Sequence, residues 1–467
     1  MLNTFVINKN DIGKELRFEP NYYYYSKILK EINIKKGIRF SQLGDIADKI
    51  SDGEHSHIPR QKNKGVRYLY GRNIKEGSIN FDPISDIPYI SETNYNNFKR
   101  IHLKDNDILL TIVGTIGKSA IYNQKNDGKA GIPRHIAKIT LDRKSKITPE
   151  FITAFFRTKV GKWQLYNITT GNIQPLLSIK NIKTLDIPKV SDKLIDDVTK
   201  LEKKQMELNS NSISLIEEAK EIFLDNLKIE NKNINKRYYS EKISSFVNDD
   251  LLTPAYLYPK YTSPIEQMSK SFKTVNLGDI VDIKKGDETG SDNYIDYIKK
   301  KDSDVPFVRT SDIINYEVDF FPDYYIPKEI NKELNQKLLP GDILYTNDGK
   351  IGLVAMLTEE DNVIIQSHIK RLRLNNYSKK HNITREYLFL VLTTKRIARY
   401  QAKRFTVIQS TIPTISNRIL NIKIPIIQNS SIKKITEIIK KSFDKKNERK
   451  RILKKSLKLI ENFFNKG

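Results

Sequence analysis

The stretch NDILLTIVGTIGKSAI, Asn106 to Ile121, reads like the opening of a phosphate-binding loop, and a second stretch, GDILYTNDGKIGLVAM from Gly341 to Met356, decides what it is. A P-loop needs G-x-x-x-x-G-K-(S/T), because successive backbone N–H groups between its glycines must wrap a phosphate ahead of the lysine. Counting back from Gly117, Lys118 and Ser119, the first glycine position holds β-branched Ile112, which cannot supply that open backbone. In the second stretch Gly114 and Gly117 return as Gly349 and Gly352, while Lys118 becomes Leu353 and Ser119 becomes Val354. Kept glycines and a lost lysine describe a tight turn between two strands, not a nucleotide site.

The likeness extends along the whole chain. RFEPNYYYYSKI from Arg17 returns as LLTPAYLYPKYT from Leu251, and QLGDIADKISDG from Gln42 as NLGDIVDIKKGD from Asn276. RHIAKITL from Arg134 returns as SHIKRLRL from Ser367, and IQPLLSIKNIKTLDIP from Ile173 as TIPTISNRILNIKIP from Thr411. The offset is steady: Leu43 to Leu277 is 234, Asp107 to Asp342 is 235, His135 to His368 is 233. Several blocks at one offset and in one order mean a duplicated unit.

Each copy has two parts. Short Ile, Val, Leu, Tyr and Phe runs broken by Gly, Pro, Asn and Asp favour strands, with helices from Thr148 and from Thr384, each opened by a threonine cap. These units are expected to be α+β. After the first, Val198, Leu201, Gln205, Leu208, Ser212, Leu215, Ala219 and Ile222 alternate spacings of four and three, a coiled-coil seam with polar interruptions. Near the C-terminus Ile432, Ile435, Ile439, Leu453 and Ile460 keep one heptad phase across a basic middle, KKSFDKKNERKRILKK from Lys440, read as a solvated face. A helix of about 33 residues is about 50 Å long and, with one apolar seam, needs a partner.

The expected architecture is therefore an N-terminal arm (1–36), a globular unit (37–189), a central spacer helix (190–230), a linker arm repeating the first (231–270), a second globular unit (271–428) and a C-terminal spacer helix (429–467). The two helices would pair as an antiparallel coiled coil in a pseudo-two-fold internal repeat. Two similar heads at a set separation could read two separated half-sites on a duplex.

Composition agrees with a polyanion partner. The 467 residues carry 81 Lys and Arg against 56 Asp and Glu, a net charge of +25, and basic side chains gain by releasing counterions from phosphates. The absence of cysteine removes thiolate zinc sites and cysteine nucleophiles, and six histidines leave little for a metal cluster. No run approaches the roughly 20 apolar residues of a membrane span, and MLNTFVINKNDIGKELRF lacks a signal-peptide core, so a cytoplasmic protein is expected.

The search for catalysis returns nothing that holds. There is no N-P-P-(Y/F/W) or D-P-P-Y motif for base amino-methylation, no S-adenosylmethionine loop and no Walker pair; Pro322-Asp323 lacks an acidic-x-lysine partner. His55 and His57 read as solvent-facing polar side chains and not ligands, His135 and His368 as matched loop histidines, Trp163 as core, and NYYYYSK from Asn21 as arm packing.

Taken together, LGDIADKISDGEH and LGDIVDIKKGDE, the two turn stretches quoted first, and NIQPLLSIKNIKTLDIP with TIPTISNRILNIKIP make the chain resemble the specificity subunits of type I restriction-modification systems. The departures are Asn106, where a glycine usually precedes Asp107, and the long N-terminal arm. The resemblance implies two target recognition domains, each reading one half of a bipartite sequence in double-stranded DNA, with the helices setting the gap. It implies a non-enzymatic targeting chain for phage defence, clasped by two DNA methyltransferase subunits and joined by restriction-translocase subunits. Cofactors would be none in this chain, with S-adenosylmethionine, ATP and magnesium in those partners. Candidate base and phosphate contacts are Arg60, Lys62, Arg72, Asn73, Thr115, Lys118, Arg134, Asn172 and Gln174 in the first domain. In the second they are Lys284, Lys285, Arg309, Asn347, Lys350, Gln366, Arg404 and Gln409. Arg or Lys suits guanine, Asn or Gln adenine, and the remaining lysines phosphates. The alternatives are a specificity subunit of a type IIB or other methylation-based defence system, an unrecognised DNA-modifying enzyme, and a scaffold that binds protein only.

Overall fold

The computed structural model describes residues 20–61, 64–80, 87–171, 175–229, 238–240, 242, 251, 253–290, 297, 304–334, 336–409 and 411–465. The chain divides into two compact units, Met1–Glu207 with Arg451–Gly467, and Leu208–Lys450.

In the first unit the turn stretch forms one inner and one edge strand of a four-stranded antiparallel sheet, ordered Ala47–Asp52, Ile136–Leu141, Ile108–Thr111, Ser119–Ile121. Ile108 to Thr111 are buried on both faces. Ile108 and Leu110 meet Phe151 and Phe155 in one core, while Leu109 meets Leu69, Ile74 and Tyr122 in another. Alternation of side chains across the strand thus splits one apolar run between two cores, each buried leucine stabilising the unit by about 2 kcal/mol. Gly114 and Gly117 take φ of 75° and 82°, and the Gly117 N–H donates to Thr111 O at 3.0 Å. The turn is the strand connection that the lost lysine indicated. Asn106 stands at φ 70° where the second copy has Gly341 at 89°. Asparagine tolerates this region better than other side chains, which accounts for the departure at that site.

The second unit contains a sheet of the same order, Val281–Lys285, Ile369–Leu374, Ile343–Thr346, Val354–Met356, and its turn glycines Gly349 and Gly352 sit at 69° and 85°. Smaller contacts recur as well. Gln164 exchanges two bonds with the Asp186 backbone (2.8 and 2.7 Å), and Gln401 does so with Lys423 (3.0 and 2.8 Å). The cap threonines Thr148 and Thr384 accept from Phe151 and Tyr387 N–H, and their hydroxyls also bond Thr199 and Thr436 on the long helices at 2.6 and 2.7 Å. One expectation is corrected here: the helix read as continuous from Thr148 breaks at Thr158, which is extended and caps a second helix, Lys159–Asn167, through Gly161 N–H. The arm helix Pro20–Lys36 rests on that second helix, with Tyr25 and Tyr166 rings 6.2 Å apart and Ser26 Oγ donating to Asn167 at 3.1 Å.

The long helices run Asp192–Leu227 (36 residues) and Asn429–Asn465 (37 residues). Within the second unit Ser442 Oγ donates to Ser212 O and Ser431 Oγ to Asn226 Oδ1, both at 2.7 Å, so they run antiparallel. Ile432, Ile435, Ile439, Leu453 and Ile460 are buried as the heptad required. On the first helix the seam differs: Leu201, Leu215 and Ile222 are half-buried, and Glu202, Ile216 and Phe223 are buried instead. The reason is that each helix also serves a globular core. Phe223 packs edge-on to Tyr387 (5.8 Å), and Glu202 receives Arg157 at 2.6 Å and Ser456 at 2.6 Å. The buried face is therefore wider than a two-helix seam. The basic middle is corrected in part: Lys440, Lys441, Arg451, Lys454 and Lys455 are exposed as expected, but Lys446, Arg449 and Lys450 are buried.

Candidate nucleic-acid interface

Strand register collects the loops of each main sheet at one end. In the first unit Ala137 pairs with Asp52, Ile136 with Thr111 and Leu110 with Ser119. The segments after Asp52, after Thr111 and before Ile136 therefore emerge side by side. Val113 also bridges Leu176, bringing in the chain beyond the 172–174 segment. In the second unit the registers Lys285 to Lys370, Thr346 to Ile369 and Tyr345 to Val354 gather the corresponding loops, with Asp348 bridging Thr414.

At this end of the first unit Thr115 and Arg134 are exposed, whereas Lys118 is buried at 6%. Arg134 has its backbone N–H fixed by Glu54 O at 3.0 Å, so a set loop presents the guanidinium. Beside it, burial and then the Arg134 charge hold His135 below the usual imidazole value. In the second unit Lys284 and Lys285 are exposed on the edge strand and Lys350 on the turn. Asn347 is buried with its amide donating to Asp348 at 2.7 Å, and Gln366 is buried. His368 Nδ1 lies 2.9 Å from Asp348 Oδ2.

A second group stands on the smaller sheets. Arg60 and Arg72 are exposed and both stack on Tyr70, at 4.9 and 5.3 Å from its centroid. Arg309 lies 3.7 Å over Tyr324. Aromatic platforms hold these planar cations in place. Tyr70 and Tyr324 were missed by sequence reasoning; the nearest signal is the tyrosine two residues before Arg72, in VRYLYGRN.

Several candidates have other work. Asn73 is buried; its Oδ1 accepts Tyr70 N–H at 2.8 Å and its amide donates to Asn80 O at 3.3 Å, so it closes a hairpin. Arg404 donates to Tyr256 O at 2.7 Å and stacks on that ring, tying down the second arm. Lys118, Asn73, Asn347 and Gln366 are withdrawn from solvent, and a base could not reach them without rearrangement. The backbone of Gln409 pairs with Ile412. Lys62, Asn172 and Gln174 lie outside the described residues. His55 sits 2.7 Å from Asp52, which also takes Arg100, and burial of Asp52 is outweighed by these two partners, holding its carboxyl below its ordinary value. Among the described residues no group of three or more His, Asp or Glu is placed to hold a metal ion.

Residues 269–459 match the family model of the type I restriction modification DNA specificity domain. A curated relative, the type I restriction enzyme EcoBI specificity subunit of Escherichia coli, is 27% identical over 124 residues; the match spans 27% of this chain and 25% of that protein. Among solved structures, the S subunit of a type I system from M. genitalium aligns over 91% of this chain and 95% of its own at 13% identity, with a TM-score of 0.35. The HsdS subunit from Thermoanaerobacter tengcongensis aligns over 92% and 96% at 14% identity, with a TM-score of 0.27. The sequence matches thus make residues 269–459 similar to the type I restriction modification DNA specificity domain, with the EcoBI specificity subunit similar over a shorter stretch.

Proposed function

We propose that the chain is the DNA specificity subunit of a type I restriction-modification complex, reading a bipartite duplex target with one half-site for each globular unit. The observation that carries this is the recurrence, in residues 40–188, of the strand order, turn glycines, glutamine clasp and threonine caps of the matched specificity domain. A chain that builds a sequence-reading domain twice is suited to two half-sites. Arg60, Arg72, Arg134 and Thr115 form the first reading surface; Lys284, Lys285, Arg309 and Lys350 form the second. The long helices act as the spacer and dock two methyltransferase subunits, with restriction subunits joining them in the cytoplasm. Methyl transfer, ATP hydrolysis and cleavage belong to those partners, with S-adenosylmethionine, ATP and magnesium bound there.

Selection of duplexes from a random library by the full chain, purified with a DNA methyltransferase subunit from the same genome, tests this reading. Two conserved blocks separated by a constant unconserved gap are expected, with affinity falling steeply as salt rises. A single contiguous motif, or binding that ignores sequence, would contradict it.

A further inference from the structure

The basic run of the C-terminal helix places Lys446, Arg449 and Lys450 at i, i+3 and i+4, hence on one face, and the two lysines are 0% exposed. All three converge on Glu317, at 3.2, 3.1 and 3.6 Å. Lys446 Nζ also donates to Asn315 O at 2.8 Å, and Lys450 Nζ to Asp361 at 2.7 Å. Burial would raise the Glu317 carboxyl, but the three cations outweigh it and keep it ionised. Glu317 belongs to a hairpin, Ile313–Ile314 with Glu317–Val318, whose turn residues Asn315 and Tyr316 take φ of 45° and 69°. The central helix holds the same turn: Lys220 Nζ donates to the Tyr316 hydroxyl at 2.7 Å, and that hydroxyl to Glu217 at 3.2 Å.

Stability alone is a poor reason for such a cluster, since buried ions give up hydration that an apolar contact of the same size would not. What ions add is direction. An apolar hairpin tip could slide by a turn along a helix face, whereas a carboxylate shared by three cations has one satisfactory seat and every slipped position leaves a buried charge unpaired. The corresponding hairpin of the first unit, Ile74–Lys75 with Ser78–Ile79, carries Ser78 at the register position of Glu317 and meets its helix through Gln205 donating to Gly77 O at 3.2 Å.

We propose that Glu317 and Asp361 are positioning residues, which with Lys446, Arg449 and Lys450 form a clamp that fixes one seating of the second recognition domain on the C-terminal helix. Resting on the function proposed above, the clamp admits only one gap between half-sites. Two readouts test it on the full chain. In Glu317→Gln, hydrogen exchange of residues 313–318 should quicken at least about tenfold while the main sheet stays protected. In the complex with its methyltransferase, methylated sites should keep both half-site sequences but admit gaps one base pair longer or shorter. The double variant Glu317→Lys with Lys446→Glu should return both readouts toward the parent. Unchanged hairpin exchange in Glu317→Gln, or a gap that stays single although the hairpin opens, would overturn the proposal. So would joint loss of hairpin and sheet that the double variant does not restore, because the cluster would then be a requirement for folding and not for seating. If the parent complex methylates no split motif, the proposed function fails, and hairpin exchange still decides whether the clamp exists.

Discussion

Asn73 and Arg72 are neighbours with opposite duties: one is buried and closes a hairpin, the other is exposed on a tyrosine. Asn73→Ala should lower stability by about 1–3 kcal/mol, seen as a lower denaturation midpoint, because Tyr70 N–H and Asn80 O lose their partner. Arg134→Ala should leave stability within about 0.5 kcal/mol and reduce the salt dependence of DNA binding by about one phosphate contact. Asp127 makes a pH-dependent case. Burial pushes its carboxyl up to about 6, against the opposing Asn123 N–H bond and Arg67 charge. Its folded value lies above its unfolded one, so the proton is held more tightly in the fold, and the associated stability is complete below pH about 4 and lost as pH rises through about 6. Relative to Asp127→Asn, the parent should lose on the order of 1–2 kcal/mol between pH 4 and 7, its half-buried position limiting the effect. Denaturation midpoints of both proteins across that range check the sign. Which polar residues face solvent was not legible in the sequence: Asn73, Asn347 and Gln366 look like readers by type, and only the fold shows their amides or their burial committed elsewhere.

At the scale of elements, the twin turns were legible because the chain writes them twice, and a lysine lost beside retained glycines separates a turn from a nucleotide loop. Their chemistry gives a graded expectation. A methyl added at Gly114 would meet nothing within 4 Å, while at Gly117 it would meet Leu165 Cδ1 at 3.1 Å; both hold positive φ. Gly114→Ala should cost about 1–2 kcal/mol from backbone strain, and Gly117→Ala more, in equilibrium unfolding. The long helices were legible by period, yet the buried stripe of the first moved to Glu202, Ile216 and Phe223. A heptad reading assumes one partner, and this helix has both a partner helix and a globular core. The basic stretch of the second helix misled for a related reason: composition cannot show that Glu317 and Asp361, more than 80 residues away, are waiting for its lysines.

For the whole molecule, the duplicated sheet and the specificity-domain match make two reading surfaces the central claim, and the charge of +25 would favour a polyanion without choosing its sequence. What a single sequence does not contain is the base code, which under the proposed function would depend on how exposed Arg60, Arg72, Arg134, Lys284, Lys285 and Lys350 are aimed at groove edges. The most direct test is to co-express the chain with a DNA methyltransferase subunit from the same genome and map methylated bases across host DNA by single-molecule sequencing. The account predicts methylation at one split, asymmetric motif, with Arg72→Ala relaxing one half and Arg309→Ala the other. Absence of methylation, a motif without a gap, or methylation that persists when this chain is deleted would contradict it.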